Sequence, residues 1–179
     1  TTDRPNEMWG TDATRVVTRL EGTAWVFGAM DHCCGDIVGL HASKIGNRFE
    51  ALEPIRQGVR EHFGEYAEGV AEGLRIRHDH GTQYMSFFFQ DELEFLGAES
   101  SPSFVASPEG NGVAERFFRT LKEQLLWVRT FDTIEELRLA LMEFKRNYNA
   151  NWILARHGYL TPNEAREDLT PAARRPQNR

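Results

Sequence analysis

Three carboxylates stand in places where an acid needs a reason. Asp12 lies in a strand-like run flanked by Trp9, Val16 and Val17, and desolvating a carboxylate is costly unless something compensates. Asp79 ends a short alternating segment, Leu74–His78, and is followed by His80-Gly81. Glu115 sits in the first turn or two of a helical segment, after the glycine-rich stretch Ser107–Gly112. Alone, each has an ordinary reading: an edge-strand or turn acid, a turn aspartate, and half of an i,i+4 pair with Arg119. Brought together, the three would repel one another unless a divalent cation sat between them. Oxygen ligands of this kind suit magnesium or manganese. Two such ions, about 3.5–4 Å apart, can activate a water or a 3′-hydroxyl and stabilise the leaving oxygen of a phosphodiester.

The surrounding pattern supplies elements to carry these acids. Met8–Val17, Ala24–Met30 and Ile37–His41 read as strands, separated by the turn signals Glu21-Gly22 and Gly35-Asp36, and so as an antiparallel meander. Asn47–Phe63 switches to helical spacing, with Phe49, Leu52, Ile55, Val59 and Phe63 on one face; Pro54 is expected to kink or restart it. Leu74–His78 is a fourth strand that delivers Asp79 to its end. Tyr84–Leu96 reads as an apolar helix, with Phe87, Phe88 and Phe89 as core, and Ala98–Phe104 as a fifth strand. Ser107–Gly112 is expected to be mobile. Val113–Val128 is an amphipathic helix, and Thr133–Tyr148 a last one opened by the capping pattern Thr133-Ile-Glu-Glu136. This order describes an α/β chain: one mixed sheet with helices on both faces. The ends of its first and fourth strands, side by side, carry Asp12 and Asp79.

The 179 residues fit one domain, assigned to 1–169, with a basic and disordered tail over 170–179. Apolar residues make up 40% and charged residues 27%, which excludes a disordered chain. No apolar run approaches the roughly 20 residues of a membrane span, so no membrane partner is expected. Cys33 and Cys34 are adjacent and make neither a disulfide framework nor a zinc-ligand spacing; they read as buried thiols of a reducing compartment, which points to the cytoplasm. The net charge of -6 runs against a nucleic-acid partner. Its distribution softens the objection: residues 1–111 carry 18 acids and 9 Lys/Arg, whereas residues 112–179 carry 9 acids and 12 Lys/Arg.

Around the three acids the sequence resembles the integrase core of bacterial insertion-sequence transposases, the group closest to retroviral integrases. Asp79 and Glu115 are separated by 35 residues, a spacing typical of that group. Pro5-Asn6-Glu7-Met8-Trp9-Gly10-Thr11-Asp12 resembles the segment leading through the family's first aspartate. His78-Asp79-His80-Gly81-Thr82-Gln83-Tyr84 is similar to the second-aspartate motif, with His78 where serine is more usual. Gly110-Asn111-Gly112-Val113-Ala114-Glu115-Arg116-Phe117-Phe118-Arg119-Thr120-Leu121-Lys122 resembles the glutamate helix. Tyr148-Asn149, Gly158-Tyr159 and Thr161-Pro162 match the closing segment. Many members carry Arg-Pro-His after Tyr-Asn; here the chain reads Trp152-Ile153-Leu154, a subgroup difference. The resemblance covers roughly residues 5–167.

The resemblance implies a ribonuclease H-like fold with a five-stranded mixed sheet, three strands antiparallel and two parallel. It implies Asp12, Asp79 and Glu115 as catalytic ligands of two magnesium or manganese ions, performing hydrolysis and 3′-hydroxyl strand transfer at transposon ends. Arg119, Lys122, Asn111, Gln83 and His80 are the expected DNA contacts, and Asp31 a structural acid. The implied partners are double-stranded DNA and further copies of the chain, as a homodimer or higher, in a bacterial, nucleoid-associated setting. Two rivals stand beside this reading: a ribonuclease H-like nuclease that cleaves without joining, and a domesticated, non-catalytic DNA-binding or assembly module.

Overall fold

A computed structural model describes residues 2–103 and 111–170. The first three strands, β1 (Met8–Thr18), β2 (Gly22–Asp31) and β3 (Ile37–Ser43), pair antiparallel in sequence order. Strand β4 (Arg75–His78) then pairs parallel to β1, and β5 (Glu99–Pro102) parallel to β4, giving the order β3-β2-β1-β4-β5. The sheet is the expected five-stranded mixed one. Each connection into the parallel half carries a helix, as parallel pairing requires: α1 (Arg48–Phe63) between β3 and β4, and α2 (Phe87–Leu96) between β4 and β5.

Two cores lie on opposite faces of this sheet. On one, Trp9, Phe27, Ala29 and Ile76 pack against Leu52, Ile55 and Val59 of α1 and Phe89 and Leu93 of α2. On the other, Ala24, Val26, Met30, Ile37 and Leu40 meet Phe117, Phe118 and Leu121 of α3 (Gly112–Leu121) and Leu137, Ala140 and Leu141 of α4 (Ile134–Asn151). Period-two alternation in β1 sends Trp9 and Ala13 to the first face, and therefore Gly10 and Asp12 to the second.

The sequence expectations need four corrections. Helix α1 does not restart at Pro54 but runs on through it, with Ala51, Leu52, Ile55 and Val59 on both sides of the proline buried. Helix α2 starts at Phe87, not Tyr84: Gly81–Met85 forms a turn, and the Ser86 hydroxyl caps the helix by accepting from Phe89 N–H at 3.3 Å. Phe89 is buried, but Phe87 is 89% exposed and lies outside the core. The helix expected over 113–128 ends as α-helix at Leu121 and passes into a π-helical turn, Lys122–Leu126. The described residues close with a 3₁₀ turn, Ala155–His157, and a short helix, α5 (Pro162–Leu169), opened by a full capping box of Thr161 and Glu164. Most of the segment expected to be mobile, and the tail from 171, lie outside the described residues. Among the described residues no helix is long and apolar enough to cross a membrane.

Candidate carboxylate site

The β1–β4 register runs Met8↔Arg75, Trp9↔Ile76, Gly10↔Arg77. Continued two residues, it brings Asp79 level with Asp12 on the neighbouring strand. Neighbouring strands lie about 4.8 Å apart, so the two acids stand within each other's field. Asp79 is exposed just past the strand end, and its Oδ1 accepts Gly81 N–H at 2.7 Å, which fixes it in the turn.

Glu115 comes from the helix above. Two local features hold α3 over Asp12. Gly28 is the cross-strand partner of Asp12, and a Cβ there would lie 3.1 Å from Phe118 Cζ and 3.3 Å from Phe117 Cε1. The missing side chain thus lets two α3 phenylalanines rest on the sheet beside Asp12. At the helix start, buried Asn111 donates from Nδ2 to the Thr11 carbonyl at 3.1 Å, one residue from Asp12.

The electrostatics report the same convergence. The Asp12 carboxyl is pushed up to about 6, first by burial and then by the charges of Asp79 and Glu115. A 2.8 Å hydrogen bond from Ala13 N–H and the positive charge of Lys122 work the other way. Tyr84 is fully buried beneath the same acids: burial and then the Asp12 charge raise its hydroxyl, and that oxygen has no hydrogen-bond partner among the described residues.

The other expected site residues fall into two groups. The positive charge of Lys122 is felt at Asp12. Arg119, Gln83 and His80 are at least partly exposed, with Arg119 paired to Glu123 at 2.9 Å and not to Glu115. Asn111 is buried and its amide holds α3 to β1, a structural task that the sequence did not reveal. Gly28 was also missed; a glycine in the middle of an apolar strand was its only signal.

The three acids are not drawn tightly together. Among the described residues, the group of His, Cys, Asp and Glu whose ligand atoms all lie within 4.8 Å of one another is Asp31, Cys34 and Asp36, elsewhere in the fold. That cluster already holds a cation of its own. Arg166 from α5 donates to Asp36 at 2.8 Å and to Asp31 at 3.1 Å. Burial alone would push Asp36 up; the guanidinium more than offsets it and holds the carboxyl below its ordinary range. Asp31 also accepts from Asn6 N–H at 2.7 Å and Cys33 N–H at 2.8 Å, so it is a structural acid. Cys33 and Cys34 are free, buried thiols.

Comparisons with known proteins bear on the fold and the family. The family model of the integrase core domain matches residues 96–162. The transposase of insertion sequence IS904 from Lactococcus lactis is 30% identical over 145 residues, 80% of this chain and 54% of that protein. The transposase of IS629 from Shigella sonnei is 26% identical over 164 residues, 91% of this chain and 52% of that one. The chain thus spans about half the length of these curated relatives. A Lactococcus lactis protein named ATP-dependent protease is 36% identical over 141 residues; the match covers 42% of it and does not carry its name over. Among solved structures, the magnesium complex of the HTLV-2 integrase catalytic core (dimeric form) superposes with a TM-score of 0.66 at 16% identity, covering 91% of this chain and 97% of that one. The simian T-cell lymphotropic virus intasome, in complex with a PP2A regulatory subunit, gives 0.72 at 19%, covering 96% and 57%.

Fold and sequence together define an integrase core domain on a ribonuclease H-like sheet. Within that class, its sequence is similar to the integrase-like cores of bacterial insertion-sequence transposases.

Proposed function

We propose that this chain is the catalytic part of a DNA transposase, which hydrolyses a phosphodiester at transposon ends and joins the freed 3′-hydroxyl to another strand. The observation that carries the reading is the placement of three acids on three elements: Asp12 in β1, Asp79 level with it just past β4, and Glu115 in the first turn of α3, whose start Asn111 ties to Thr11. Three acids within one another's field, with the charge of one lysine, have an excess of negative charge, and carboxylate oxygens suit a hard divalent cation. Asp12, Asp79 and Glu115 would hold magnesium or manganese, as two ions, which when bound supply activation of a water or 3′-hydroxyl and stabilisation of the leaving oxygen.

The remaining residues bind and orient the substrate. Lys122, beside Asp12, offsets charge on the phosphate being attacked. Arg119, one turn after Glu115, reaches for the backbone once it leaves Glu123. His80 and Gln83, in the turn after Asp79, border the path of the strand. The relatives named as transposases and the intasome support DNA as substrate and assembly of several copies, here a homodimer or larger, in a cytoplasmic, nucleoid-associated setting. The domain is assigned to residues 1–169.

The test is magnesium- or manganese-dependent nicking of supercoiled plasmid by the wild type and Glu115→Gln. Metal-dependent nicking that disappears in the variant is expected. Nicking that survives the substitution would remove Glu115 from the site. A labelled oligonucleotide joined to the plasmid separates a transposase from a nuclease that only cleaves.

A further inference from the structure

A second feature lies on the same sheet face, upstream of the acids. In β4, Ile76 and His78 are buried, and Ile76 packs into the core under α1 and α2. Alternation then sends Arg75 and Arg77 to the other face, the one that carries Asp12. Helices α3 and α4 lie over β1, β2 and β3, and both arginines are half-buried. Neither forms an ion pair among the described residues, although Glu99 stands level with Arg75 on β5.

The neighbouring strands add to this patch. Gly10 is level with Arg77. Its missing side chain leaves room that His32, from the end of β2, occupies: a Cβ on Gly10 would lie 2.5 Å from His32 Nε2 and 2.9 Å from Asn111 Oδ1. Arg156 arrives from the 3₁₀ turn and donates to the His32 carbonyl at 3.3 Å. Burial first, and then the charges of Arg77 and Arg156, hold the His32 ring down to about 4. His32 Nε2 and Arg77 Nε are both buried polar atoms without a hydrogen-bond partner among the described residues. Uncompensated donors and cations in one place are costly unless an anion completes them.

We propose that Arg75, Arg77, Arg156 and His32 form a cradle for a backbone phosphate of the DNA strand that leads to the carboxylate site. Gly10 is two residues before Asp12, about 7 Å along the strand, so a phosphate here belongs to the nucleotides adjoining the reacting one. Arginine suits the task, since its planar fork matches phosphate oxygens. The cradle fixes the strand's position and carries no sequence information. The inference rests on the DNA-processing reading and gives a cationic role to the acidic half of the chain, where composition alone shows none.

The experiment measures binding of a labelled short duplex by fluorescence anisotropy, without divalent metal, between 50 and 200 mM salt (roughly the range over which phosphate contacts are lost). Arg77→Gln and Arg156→Gln are each expected to reduce the slope of log affinity against log salt by about 1. Arg77→Lys is expected to keep it. Arg156 is exposed and, among the described residues, its one hydrogen bond is to the His32 carbonyl, so loss of slope in that variant is not loss of fold. A wild type that binds DNA while both neutral variants keep its slope overturns the cradle alone. A wild type with no salt-dependent DNA binding overturns the DNA reading and the cradle with it.

Discussion

Arg119 gives its guanidinium to Glu123 at 2.9 Å, one turn further along the helix, and not to Glu115 one turn before it. Glu115 is therefore an exposed acid with no ion pair among the described residues. Its replacement should leave the fold alone. We expect Glu115→Gln to melt within about 2 °C of the wild type, as surface substitutions do, while metal-dependent nicking falls by about 100-fold or more. A large drop in melting temperature would mean that Glu115 is structural, and would sink the separation of activity from stability.

Asp12 behaves in the opposite way, because its carboxyl is pushed up to about 6 from an ordinary 3.8. The folded state then holds the Asp12 proton more tightly than the unfolded chain does. Its contribution is unfavourable and grows as pH rises from about 4 to about 6, reaching at most about 3 kcal/mol. Asp12→Asn removes it and still accepts from Ala13 N–H. In metal-free buffer at pH 7, this variant should melt several degrees above the wild type, with the gain vanishing below pH 4. His32 and His62, both held down to about 4 chiefly by burial, act with the other sign: their contribution is lost as pH falls from 6.5. The difference between variant and wild type cancels them. Magnesium should raise the melting temperature of the wild type alone; an equal rise in Asp12→Asn would take Asp12 out of the ligand set.

The Arg166 guanidinium lies between Asp31 and Asp36, with its side chain 16% exposed. Removing one partner of a buried ion pair leaves uncompensated charge and costs about 3–5 kcal/mol. Arg166→Met should lower the melting temperature by on the order of 10 °C. Cys34, whose thiol donates to Asp36 at 3.1 Å and is fully buried, should then react faster with a thiol reagent because loosening of α5 uncovers it, which outweighs the loss of a cation that favours its thiolate. A variant as stable as the wild type would show that α5 is held by its apolar contacts.

Much of this architecture is legible because local chemistry agrees with it. Glu21-Gly22 and Gly35-Asp36 mark turns that the chain makes, and the Thr133 hydroxyl accepts from Glu136 N–H as its capping pattern predicts. The positions of Asp12 in the first strand and Asp79 at the end of the fourth were legible too, and the β1–β4 register, continued two residues, sets them level. What sequence hides is long range. The start of α2 slips because Tyr84 is held under the sheet, stacked on His78 at 5.5 Å. Helix α5 carries a readable cap, yet its eight residues are anchored by Arg166 across 130 positions to Asp36. The tie of Asn111 to the Thr11 carbonyl is hidden as well, because nothing local in the sequence reveals that Thr11 will face it.

Gly28 offers the most direct test of how the fold aims Glu115. An alanine Cβ there would sit 3.0 Å from Leu40 Cδ2, 3.1 Å from Phe118 Cζ and 3.3 Å from Phe117 Cε1. These are ends of flexible side chains, so the domain can adapt by lifting α3, at about 1–3 kcal/mol. Lifting α3 moves Glu115 away from Asp12, and displacements of about 1 Å at a catalytic centre can cost about 100-fold in rate. Gly28→Ala should therefore lose far more nicking activity than its modest fall in melting temperature suggests. Adding Phe118→Leu makes room below the helix and should restore part of that activity. Full activity in Gly28→Ala, or no recovery in the double variant, would show that α3 is placed by something other than its contact with Gly28.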